Sequence, residues 1–105
     1  MVNVSRTLTA LLVEYYGTDH QMLKVAEELS ELQTVILQAY TKTVYAEEMY
    51  SEVADVYIML DQLVHAVLDE DRLNLEIKRK LNRQFERLKN EQRKKETVPE
   101  EEDIQ

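Results

Sequence analysis

The sequence contains no cysteine and no tryptophan, and it has one glycine and one proline in 105 residues. The missing cysteine excludes disulfides and thiolate metal sites, and fits a reducing compartment. A single glycine cannot build a glycine-rich phosphate loop. So little turn-forming residue also disfavours a sheet and favours helices joined by short connections. Long apolar runs are missing too, and no stretch approaches the length of a membrane span. The N-terminal segment lacks the basic-then-apolar shape of a secretion signal, so a cytoplasmic protein away from the membrane is expected. A chain of this size holds one domain with a modest core, which makes association with other chains a real option.

Charge is what the sequence has in quantity, and it is unevenly placed. The net charge of −8 argues against binding a nucleic-acid polymer, which needs a basic footprint. Residues 1–71 carry 13 acids and 3 bases, residues 72–95 carry 10 bases and 3 acids, and residues 96–105 carry 5 acids and no base. An acidic body followed by a basic segment suggests that the two lie together or address one ligand.

Apolar spacing predicts four helices. The first spans 4–16, with Leu8, Leu11, Leu12 and Tyr15 inward, and Gly17 in a left-handed conformation ends it. Thr18 or Asp19 can cap the second, over 19–41, whose stripe is Met22, Val25, Leu29, Leu32, Ile36 and Ala39. Thr43 can cap the third, over 44–68, with Met49, Val53, Val56, Leu60, Leu63 and Val67. That four-three alternation is the seam of an antiparallel bundle. The acidic turn at 69–72 opens the fourth, over 72–95, with Leu73, Ile77, Leu81, Phe85 and Leu88 inward. The expected fold is therefore all-α, an antiparallel bundle of about four helices in one domain over 1–95. Residues 96–105, acidic and containing Pro99, are expected to be a disordered tail.

Two acidic pairs stand out. Glu28 and Glu31 are three residues apart, as are Glu52 and Asp55, and such neighbours share a helical face. Each acid precedes a stripe residue by one position, so the two pairs occupy matching flanks of their seams. Antiparallel packing of the second and third helices would bring the four carboxylates to one rim. Their repulsion needs a compensating cation, and an all-oxygen donor set suits Mg²⁺. Glu27 and Glu48 stand by as further or outer partners. The bland alternative is a solvated acidic face, since glutamate is a strong helix former. Against it, Lys42 is the only base between Glu27 and Asp61. Neither His20 nor His65 has the Glu-x-x-His spacing of a di-iron bundle. On the fourth helix, Lys80, Arg83 and Arg87 fall along one side and could hold phosphate, or could simply balance the acidic body.

The strings "EELSE" and "EVAD", separated by one helical hairpin, resemble the signature of the MazG-like all-α nucleoside triphosphate pyrophosphohydrolases. The matching residues are Glu27, Glu28 and Glu31, with Glu52 and Asp55. "HQMLKVAEELSEL", "SEVADVYIMLDQL" and "KLNRQFER" extend the resemblance over about 15–90, to the short single-domain members of phages and Gram-positive bacteria. The resemblance implies a homo-oligomer, dimer or tetramer, that completes the helical bundle. It implies hydrolysis of a nucleoside triphosphate to the monophosphate and pyrophosphate. Glu28, Glu31, Glu52 and Asp55 would bind Mg²⁺, with Glu28 or Glu31 as proton acceptor and Glu27 assisting. Lys80, Arg83 and Arg87 would hold the triphosphate. The competing expectation is a non-catalytic helical protein for oligomerisation or regulation.

Overall fold

The computed structural model describes residues 2–42 and 47–104, with side chains described as far as residue 96. It contains four helices, α1 (Arg6–Tyr16), α2 (Thr18–Lys42), α3 (Glu47–Val67) and α4 (Glu70–Ile104), and no strand among the described residues. The all-α expectation therefore stands at the level of helix number and order. Two compact units divide the chain, Met1–Asp69 and Glu70–Gln105.

Local chemistry accounts for the helix ends. Ser5 caps α1, its hydroxyl accepting from the Leu8 amide at 3.4 Å. Gly17 closes α1 by donating its amide to the Val13 carbonyl at 2.8 Å. Its φ of 90° and ψ of 152° are not the left-handed helical values expected, but lie near an extended positive-φ region reserved for glycine. The Gly17 carbonyl then accepts from the Gln21 amide at 3.1 Å. Gly17 thus stands where Thr18 or Asp19 was expected to cap, and both of those residues lie inside the first turn of α2. The expected cap Thr43 and the expected start at 44 fall outside the described residues. Glu70 and Asp71 occupy the first turn of α4, where acids favour the helix dipole. Of the segment expected as a tail, residues 96–104 lie within the span of α4, and Gln105 falls outside the described residues.

In the first unit α2 and α3 make the principal contact, and α1 packs mainly on α3. Their antiparallel register is set by polar partners. Gln21 near the start of α2 donates to Gln62 near the end of α3 at 2.8 Å. Moving forward from Gln21 to Glu28 matches moving back from Gln62 to Asp55.

The seam is rotated from the one apolar spacing suggests. On α2 the buried residues are Gln21, Val25, Glu28, Val35 and Ala39, with Leu32 half-buried between them. Met22, Leu29 and Ile36, expected inward, are exposed. On α3 the buried residues are Val56, Met59 and Gln62, while Leu60 and Val67 are exposed. Val25, Val35, Ala39 and Val56 are short side chains that let two helices approach closely. The longer Leu, Ile and Met side chains stand on the adjoining face. On α1 only Thr9 is buried, and Leu8, Leu11, Leu12 and Tyr15 are exposed, the reverse of expectation. Thr9 turns inward because its hydroxyl donates to Asp61 Oδ2 at 2.5 Å. On α4, Leu73 is half-buried, and Ile77, Leu81, Phe85 and Leu88 are exposed rather than inward.

Candidate metal centre

Rotation of the seam changes the character of the acidic pairs. Glu28 is not on the flank of α2 but inside the contact with α3, only 8% exposed. Glu52 is half-buried on α3, and Glu31 is exposed at the rim. Glu28, Glu31 and Glu52 each offer a carboxylate oxygen, all within 4.8 Å of one another. Asp55, half-buried, lies outside that trio but close enough for its charge to act on both Glu28 and Glu52. The antiparallel register explains the convergence. Glu31 faces Glu52 and Glu28 faces Asp55, so both i,i+3 pairs meet across one stretch of seam.

This arrangement is electrostatically costly. Burial, then the charges of Glu31 and Asp55, push the Glu28 carboxyl above its ordinary value, and Lys24 only partly offsets them. Glu52 is raised by loss of water and then by Glu31, Asp55 and Glu48. One oxygen of Glu28 and one of Glu52 are buried without a hydrogen-bond partner. Buried carboxylate oxygens in a protein are normally satisfied, so two orphans in one cluster call for a proton or a cation. The donors are all oxygen, with no histidine or thiolate, which suits a hard dication such as Mg²⁺ or Ca²⁺ rather than zinc. The residues present therefore fit the ion that the sequence suggests.

The remaining sequence candidates lie elsewhere. Glu27 faces outward, its side chain 56% exposed and 3.6 Å from Lys24 Nζ. Lys80, Arg83 and Arg87 are exposed along α4, in the second unit. Around them Arg79 pairs with Glu76 at 3.3 Å and Lys89 with Glu86 at 3.2 Å.

Sequence reasoning missed two features. One is Lys24, whose Nζ lies 3.7 Å from Glu28 Oε1. Its position one turn before Glu27 and Glu28 was the available signal. The other is a polar clasp between α1 and α3. Asp61 accepts from Thr9, its other oxygen is 3.3 Å from His65 Nδ1, and the Arg6 guanidinium meets His65 Nε2. A ring accepting at Nε2 carries its proton on Nδ1, towards Asp61. The four-residue spacing of Asp61 and His65 announces half of this clasp, and the partners from α1 announce nothing in sequence. A cavity of about 140 Å³ lies beside it, lined by Ala10, Val13, Gln62 and Ala66 as well as clasp residues. Comparison of the chain with protein-family models, with curated proteins and with solved structures gives no match.

Proposed function

We propose that the protein is a Mg²⁺-dependent nucleoside triphosphate pyrophosphohydrolase of the MazG-like kind. The observation that carries this reading is the convergence of Glu28, Glu31 and Glu52 from two helices, with two buried orphan oxygens among them. The spacing of Glu27, Glu28, Glu31, Glu52 and Asp55, which resembles that family's signature, supports it independently.

In this reading Glu28, Glu31, Glu52 and Asp55 hold Mg²⁺. The bound ion would neutralise the cluster, reverse the local sign for an anionic substrate and acidify an attacking water. Glu28, at the α2–α3 contact, would accept the proton of that water. Glu31, at the exposed rim, is the alternative acceptor. Water adds to phosphorus, the bond between the α- and β-phosphates breaks, and pyrophosphate leaves with the electron pair. The resemblance would give Lys80, Arg83 and Arg87 the role of holding the triphosphate.

Assembly as a homo-oligomer belongs to the same proposal. Leu8, Leu11, Leu12, Met22, Leu29 and Ile36 are exposed on α1 and α2. Exposed large apolar side chains in this number favour association. The same surface favours the second reading, a helical oligomerisation or regulatory protein without catalysis.

The deciding experiment is pyrophosphate release from a panel of ribo- and deoxyribonucleoside triphosphates, with Mg²⁺ and with EDTA. Turnover that requires Mg²⁺ and falls at least a hundredfold in Glu52→Gln is expected. Wild-type protein inert on the whole panel, or equal rates with EDTA, overturns the enzyme reading in favour of the second.

A further inference from the structure

We infer that Lys24 is a resident counter-cation beside the carboxylate cluster, one whose charge opposes a divalent cation binding there. The inference rests on the metal reading above and adds a determinant of metal affinity to it.

Lys24 Nζ stands 3.6 Å from Glu27 Oε2 and 3.7 Å from Glu28 Oε1, at the mouth of the cluster. From Lys24 to Asp61 the sequence offers one other base, Lys42, at the far end of α2. Lys24 is therefore the positive charge that α2 itself brings to these acids. An ammonium is a compact point charge on a flexible stem. The Lys24 side chain is 42% exposed, so it can withdraw into water at little cost. One such charge does not complete the site. Glu28 is 8% exposed, and its Oε2 has no partner even with Lys24 on Oε1. The chain thus carries a partial substitute for a dication. It offsets part of the repulsion, and its charge beside Glu28 Oε1 opposes any second cation.

The test is Mg²⁺ titration by calorimetry, together with melting in EDTA, for wild type, Lys24→Met and Lys24→Arg. Methionine keeps the stem and removes the charge. Arginine keeps the charge. Lys24→Met is expected to melt lower than wild type in EDTA yet to bind Mg²⁺ about twofold to fivefold tighter, as befits a half-exposed ion pair. Lys24→Arg is expected to follow wild type in both. Opposite signs in the two readouts separate a competing charge from a merely structural side chain, which would not tighten metal binding. If wild type binds Mg²⁺ and Lys24→Met binds it equally or more weakly, this inference falls and the metal reading stands. If wild type shows no Mg²⁺ binding, the metal reading falls and takes this inference with it.

Discussion

A glutamate inside a helix seam is a cost unless something answers its charge, and Glu28 sets the terms here. Its carboxyl and that of Glu52 are held above the ordinary value of 4.5 by lost water and by neighbouring acids. The linkage follows directly. Below 4.5 both groups are protonated in the folded and unfolded chain alike, and no penalty exists. As pH rises through the raised folded values, the unfolded chain releases these protons more readily and stability is lost. In EDTA the protein should therefore lose less stability to these two groups near pH 4.5 than at pH 8. That difference should shrink in the Glu28→Gln, Glu52→Gln double variant. At pH 8 in EDTA, Glu28→Gln alone should gain on the order of 1 kcal/mol, or about 4–8 °C in melting temperature. Mg²⁺ should stabilise wild type and not the double variant. A double variant that still responded to Mg²⁺ would show that the ion binds elsewhere.

At the scale of elements, two devices hold the first unit in register. Gly17 joins α1 to α2 through a positive-φ backbone, and a Cβ placed there would meet nothing within 4 Å. Gly17→Ala should thus act by backbone strain alone and cost about 1–3 kcal/mol, read as a lower urea midpoint with an unchanged slope. The Gln21–Gln62 pair ties the start of α2 to the end of α3. Gln62 is 2% exposed and also donates to the Ile58 carbonyl at 3.3 Å. Gln62→Ala should cost about 2 kcal/mol or more, because it opens a cavity and strips the Gln21 Nε2 donor of its acceptor. The helices themselves were readable from spacing. α1, α2 and α3 end close to where periodicity put them, and the single glycine falls at the α1–α2 junction. The face each helix buries was readable only in part: Val25, Ala39 and Val56 of the expected stripes are buried, while Thr9, Gln21, Glu28, Val35 and Met59 were not expected there. Periodicity finds a stripe but does not say which half of a wide stripe meets the neighbour. On α2 both 21-25-28-35-39 and 22-29-36 run along the helix, and steric fit between short side chains chose the first.

For the whole molecule, the balance of buried and exposed apolar residues matters most. The buried apolar set is Val25, Val35, Ala39, Val56 and Met59, while many larger side chains are exposed on all four helices. Fully burying such a side chain stabilises by roughly 1.5–3 kcal/mol, which would be the drive behind the proposed association. Melting temperature should rise with protein concentration, and sedimentation at tens of micromolar should report a multiple of the chain mass. Leu29→Glu with Ile36→Glu should return the species to a single chain. No helix among the described residues is long and apolar enough to cross a membrane.

By itself the sequence determined the helical class, the number and order of the helices, and that Glu28, Glu31 and Glu52 would come together, with Asp55, expected among them, outside that trio. Each of these follows from spacing along one chain or from an antiparallel hairpin. Tertiary structure alone decided that Glu28 lies within the α2–α3 contact and not beside it, that Lys24 reaches its oxygen, and that Thr9 joins Asp61. Those outcomes depend on the rotation of one helix against another. Rotation is decided by side-chain fit across the interface, and no pattern within a single helix encodes it.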